Sequence, residues 1–510
     1  MNSIRQRWVS LRNRARDLQT TLRRWALYDD SLPREMKEDL LARFTPAEET
    51  AYDSDLELTK ARMRPVSVQL RTISKWYDFV LETINEQLDR ARALLDQGRH
   101  QESIAVLADV EQRLIVPNED TLGFVFRSLA QHTSHEYHQK LASIDAIIRD
   151  LYLPTVKVAH QRGAMPKEGL SQTPLAYFTD GPEGIYTWRQ HAQIALATGR
   201  RLPVTMLALP RNMIAQPWNL VAIAQEVALC IYQQLELPWE LAAKLQTESA
   251  NAGVSPATGA YWARWHETIF ADVFGTLKLG AAYVSGMIEM LGANPAACVT
   301  FNPSSPTPPA YIRWHIMLQT LQLMQLPDQA RELFNQIHLL CGDPNQVAQR
   351  CGPIFLQLVN DCRGIAGLVA FSPCKRLGNA RIIDIAQPFQ AIEWQTATRV
   401  KDLLLSGDES CSTDEQFSWA EPVTKTHTPA HVALAGLRLA VDTTADFDVS
   451  RRVWVRFWCL MQCLTGHTEP TREREDREFA PGDAILRTIA QQAVPPPTAP
   501  RPIQMAMAHA

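Results

Sequence analysis

The chain has 510 residues, 46% of them hydrophobic, and its 51 lysines and arginines nearly cancel 55 aspartates and glutamates, leaving a formal charge of −4. That length corresponds to roughly three domains on a prior of ~150 residues each, and the charge balance argues against bulk electrostatic capture of nucleic acid. No run reaches the ~18 uninterrupted apolar residues that a membrane span needs.

The N-terminus lacks the apolar core of a secretory signal, because Trp8, Val9 and Leu11 alternate with arginines. Nine cysteines, none before Cys230, fit a reducing cytoplasm better than a disulfide framework. In the first thirty residues Arg5, Arg7, Arg12, Arg14, Arg16, Arg23 and Arg24 outnumber Asp17, Asp29 and Asp30. The expectation is a solvated helix face, with nucleic-acid or lipid-headgroup contact as the alternative.

Residues 1–150 are patterned as an N-terminal helical hairpin or bundle. Apolar residues recur at helical spacing from Val66 to Leu107, and Asp96-Gln97-Gly98 supplies a turn. The piece from Leu88 to Leu107 resembles one helix–turn–helix of a tetratricopeptide unit, but no second copy follows at the repeat period. His132, His135 and His138 are spaced by three, so they progress around a helix rather than meeting one metal; a solvated face is expected. From about residue 151 to 216, Pro154, Pro166, Pro174 and Pro182 break the chain into short pieces. Leu175–Phe178 and Pro203–Leu209 read as short strands.

Pro217 then opens a helix, ending near Leu237-Pro238, whose apolar run from Leu220 to Ile231 is interrupted only by Gln225 and Glu226. A carboxylate in so apolar a helix is expensive to bury without compensation. A small-residue loop from Thr247 to Gly259 precedes a second helix, from Tyr261 to about Met290, and Pro303–Pro309 forms a stiff linker. The region 301–480 is again mainly helical, with an acidic loop around Ser406 to Glu415, and 481–510 is a tail that cannot pack. His427 and His431 are separated by a helix-opening Pro429, and Cys459, Cys463 and His467 lack a fourth ligand, so neither group makes a convincing metal site. No phosphate loop, dinucleotide fingerprint or nucleophile elbow is present.

The central order of strand, glutamate-bearing helix, loop and acidic helix resembles, over about residues 203 to 290, the zinc peptidases of the His-Glu-x-x-His type. In their glutamate-ligand subgroup a later helix carries Glu-x-x-Ala-Asp. Gln225-Glu-Val-Ala-Leu229 falls where His-Glu-x-x-His would stand, and Thr268-Ile-Phe-Ala-Asp272 falls where the later motif would stand. The resemblance implies that Glu226 is a vestigial general base and Asp272 a vestigial outer-sphere residue. It also implies that the histidine and glutamate ligands are replaced at all three positions, by Gln225 and Thr268, which are poor, uncharged donors, and by Leu229, which cannot coordinate. His266 and Glu267, one residue out of phase, are the candidates for a rescued site.

The expectation is a mainly α protein with a small central β-sheet, a zincin-like α+β core (151–300) flanked by helical regions. It is read as a cytoplasmic pseudoenzyme that binds a peptide or protein partner or serves as a scaffold, with no nucleic acid, no membrane span and no cofactor. Zinc enters only if the chain is instead an active hydrolase with unconventional ligands; a helical scaffold without enzymatic ancestry is the third reading.

Overall fold

The computed structural model describes residues 2–26, 66–134, 136–164, 173–179, 204–406, 428–444 and 446–466, together with positions 420, 423, 486 and 487. The architecture is mainly α, with one small sheet.

Helix α1 (Asn2–Ala26) lies along α2 (Ser67–Asp96), which turns through Gln97-Gly98 into α3 (His100–Val110). Gly98, at φ 75°, supplies the left-handed step of that turn. A π-helical segment, Glu111–Ile115, then joins α3 to α4 (Val116–Thr133) just before Pro117, whose missing N–H would break a regular ladder there.

The basic face of α1 is not simply solvated, contrary to the expectation. Arg7 and Arg14 reach Glu111 at 2.7 and 2.9 Å, and Arg14 reaches Glu119 at 2.6 Å. The apolar side of α1 must face α2 to be buried, and that docking brings its arginines against carboxylates about a hundred residues away in sequence.

Helix α5 (His138–Gln161) follows a break at Ser134. Strands β1 (Leu175–Thr179) and β2 (Met206–Pro210) pair in parallel, Leu175 opposite Met206. Both are almost wholly buried and correspondingly apolar throughout, as parallel strands covered on both faces are.

The open edge of β1 is completed by side chains. Gln131 donates to the Phe178 carbonyl at 2.9 Å and accepts from the Phe178 N–H at 2.7 Å. Asp145 accepts from the Ala176 N–H at 3.0 Å, and Nε2 of His132 lies 2.9 Å from the Ala176 carbonyl oxygen. His132 is therefore a buried edge cap and not part of a solvated face; a strand edge inside the fold needs partners, and the α4–α5 corner supplies them. His135 lies outside the described residues.

Past β2 the chain enters a 3₁₀ segment, Pro217–Ala222, and then α6 (Ile223–Gln234) and α7 (Leu237–Thr247). The single helix expected from Tyr261 to Met290 is three: α8 (Gly259–Arg264), α9 (His266–Leu279) and α10 (Ala281–Leu291). The sharper break falls at Gly280, whose φ of 58° and ψ of −139° are open to glycine alone.

After the Pro303–Pro309 connection come α11 (Ala310–Leu323), α12 (Pro327–Cys341), α13 (Pro344–Cys351) and α14 (Pro353–Phe371). Helix α14 is, among the described residues, the one helix long and apolar enough by itself to cross a membrane. Half of it is buried inside the fold, and its Asp361 accepts hydrogen bonds from Thr258 and Trp262, the latter at 3.2 Å. The chain continues through α15 (Ile382–Ala386), α16 (Ala391–Leu405), α17 (Ala430–Asp442) and α18 (Phe447–Gly466). One buried apolar cluster draws residues from α1 through α18 and includes both strands.

Candidate functional site at the crossing of three central helices

Every residue of α6 from Ile223 to Tyr232 is buried. Its neighbour α9 is just as enclosed, from Thr268 to Leu279. Two helices this apolar can be buried together only if their few polar groups find partners.

They pack antiparallel. At one end Tyr232 Oη lies 2.7 Å from Nδ1 of His266, and Gln233 donates to Glu267 at 3.2 Å. At the other end Gln225 and Asp272 share one guanidinium. That register places Leu229 level with Thr268 and Ile269, four residues on from Gln225 and about four back from Asp272. The two stretches joined by the sequence argument therefore do face each other.

The shared guanidinium belongs to Arg313 of α11, a third helix. Its Nε donates to Asp272 Oδ2 at 2.8 Å and its Nη2 to Asp272 Oδ1 at 2.7 Å, a two-pronged fork on one carboxylate. Nη2 also donates to Gln225 Oε1 at 3.0 Å. Asp272 is fully buried and Arg313 is 4% exposed, so this is an ion pair of the interior.

The Tyr283 hydroxyl approaches Asp272 Oδ1 at 3.4 Å. It arrives there because Gly280 reverses the chain and because Gly275 leaves room for the ring. A Cβ at 275 would stand 2.5 Å from the Tyr283 Cζ atom. Burial, reinforced by the Asp272 carboxylate, drives the Tyr283 hydroxyl well above its ordinary pKa, so it stays protonated and donates. Glu226 is fully buried in the same neighbourhood, and its charge acts on both Tyr283 and the Cys230 thiol.

The residues at the positions expected to be ligands do not fit a zinc ion. Gln225 presents its amide oxygen to Arg313, Leu229 has no donor atom, and Thr268 offers a buried neutral hydroxyl. A guanidinium beside them adds repulsion for any cation. His266 and Glu267 do not repair the set. They lie level with Tyr232 and Gln233, six and seven residues from Glu226 along α6, a rise of ~9–10 Å. Burial holds the His266 imidazole below its usual pKa against the raising effect of Glu267, which favours the neutral ring.

Other sequence candidates separate similarly. His431, on α17, lies 3.9 Å from Asp150 and 3.8 Å from Glu393, an ion-pair node rather than a metal pair. Cys459 and Cys463 are half-buried on α18, and burial raises the Cys463 thiol to about 11. His427 and His467 lie outside the described residues.

Sequence reasoning did not find Arg313 or Tyr283. The signal for Arg313 was available, since it stands in Tyr311-Ile-Arg-Trp-His-Ile-Met-Leu318, as apolar a run as the one that drew attention to Glu226. The chain matches no protein-family model, no curated protein and no solved structure.

Proposed function

We propose that this is a catalytically silent, metallopeptidase-related protein of the cytoplasm, whose central helices act as a structural core while its work is association with a peptide or protein. The observation that carries the reading is the Arg313 fork on Asp272 and Gln225. In this reading the positive charge that a zinc ion would bring to such a centre comes from the protein's own guanidinium, and Glu226 has no metal-bound water to activate. The unpaired state of the eight described cysteines supports a reducing compartment.

Metal analysis of the purified full-length chain, paired with cleavage assays on a peptide library, tests the proposal. The expected result is zinc well below ~0.1 per chain and no chelator-sensitive cleavage. Near-stoichiometric zinc that vanishes in Glu226→Gln or His266→Ala would overturn it. Ancestry is tested separately by Gln225→His, Leu229→His and Thr268→Glu combined with Arg313→Met. If the alignment is right, that variant acquires zinc affinity; loss of stability with no zinc uptake favours a helical scaffold of independent origin.

A further inference from the structure

His315 stands two residues beyond Arg313 on α11, so a step of ~200° turns it to the opposite side of the helix. There it lines a cleft of about 540 Å³ between α11, α12 and α14, within the ~300–1,000 Å³ range of small-molecule sites. The imidazole is only 5% exposed, and its Nε2 atom has no hydrogen-bond partner among the described residues. Leaving such an atom unpaired in the interior is unfavourable unless a group from outside completes it.

The remaining lining sorts by chemistry. Leu318, Phe334 and Val359 give an apolar wall, while Arg331 and Arg363 bring positive charge to the rim. Among the described residues no carboxylate lines the cleft. Arg363 makes no ion pair among the described residues, and Arg331 reaches only the exposed Asp328, at 3.6 Å. Phe334 is half-buried and edge-on to His315, with ring centroids 5.9 Å apart. Both rings line the cleft. His338 packs on the same phenyl ring at 5.0 Å but does not line the cleft.

We infer that this cleft binds a small organic anion, one carboxylate or phosphate on a compact apolar body, with Arg331 and Arg363 taking the charge, Phe334 the body and His315 Nε2 a hydrogen bond. Burial, helped by the nearby His338, lowers the His315 pKa to about 4, so the ring is neutral at pH 7. It then acts as an uncharged hydrogen-bonding group, and recognition of charge falls to the arginines.

Calorimetric titration of the full-length protein with sodium benzoate, its neutral analogue benzamide and inorganic phosphate tests the inference. Benzoate is expected to bind saturably and at least ~10-fold tighter than either control, the scale of one hydrogen bond to a charged group. Arg331→Gln with Arg363→Gln, both on the exposed rim, should remove the preference for benzoate over benzamide. His315→Leu should weaken benzoate ~10-fold, whereas His315→Gln, which keeps a donor, should lose less. Equal binding of benzamide, phosphate as tight as benzoate, an unaffected arginine double variant, or no saturation by ~20 mM benzoate would each overturn it. Should the His315 variants fail to fold, the arginine pair still decides the matter.

Discussion

Replacing Arg313 with methionine keeps most of the side-chain length and removes the fork from Asp272. The carboxylate is then left fully buried, and among the described residues the only other side chain donating to it is the Tyr283 hydroxyl at a long 3.4 Å. Removing one partner of a buried pair typically costs ~3–5 kcal/mol, because the remaining charge loses its compensation in a medium that solvates it poorly. A shorter Tyr283 contact after relaxation recovers ~1 kcal/mol of that, so we expect a loss of ~3 kcal/mol for Arg313→Met. Asp272→Asn in the same background removes the stranded charge. The double variant should then be less unstable than the sum of the two single losses by ~2 kcal/mol or more. Urea unfolding followed by circular dichroism supplies the energies, and amide exchange over 223–234 and 266–279 shows whether the loss is local to the crossing. Arg313→Lys, with the charge but not the fork, should fall between. A cost below ~1 kcal/mol for Arg313→Met, or strict additivity with Asp272→Asn, would refute the account of the centre.

Gly275→Ala sets a helix-propensity gain of ~1 kcal/mol against overlap with the buried Tyr283 ring; overpacking of ~1–3 kcal/mol should win, measured as a lower urea midpoint. Burial depresses Lys278 to about 8 despite the opposing pull of Glu393 and Asp150, with the Phe274 ring 5.9 Å away and His431 in the same cluster. A folded pKa below the unfolded one means that the unfolded chain binds more protons between about pH 8 and ~10.5, so stability contributed by this group rises with pH across that window. Lys278→Met should therefore stabilise the protein at pH 7, and denaturation curves at pH 7, 9 and 10.5 should show the advantage shrinking. Arg14→Gln removes half-exposed pairs with Glu111 and Glu119 and should cost less than ~1 kcal/mol, an effect that 1 M salt abolishes in the same urea assay.

The parts of this fold that were legible in sequence are those decided by local chemistry. Gly98, the apolar strands and the helix after Pro217 each follow from one chain segment and its neighbours. What was not legible depended on distant partners. His132 looked solvated because its partners, Ala176 and Asp145, come from β1 and α5. The arginines of α1 looked free because Glu111 and Glu119 lie across the bundle. The split of the 261–290 helix was written in Gly280, yet a helical hydrophobic pattern continues through it, and periodicity alone does not reveal a change of direction. Gln225 and Asp272 do meet, across one guanidinium. The cation that joins them stands 88 residues beyond Gln225 and 41 beyond Asp272, in a region read only as mainly helical.

Why three helices should share one buried ion pair is not answered by stability, since a well-packed apolar trio of similar volume is often as stable or more so. The geometry suggests a different role. Helices α6, α9 and α11 are buried along most of their length, and area burial, being non-directional, does little by itself to choose one register over another. The fork tolerates no such freedom. A shift of one helical turn, about 5.4 Å, would separate Arg313 from Asp272 and leave both buried, at a cost comparable to removing one of them. Gln225 extends the constraint to α6, and the tight seat of Tyr283 on Gly275 extends it to α10. The centre therefore ties four helices to one register. A guanidinium forked on one carboxylate and held by one amide thus fixes helix register through the directions of its own donors.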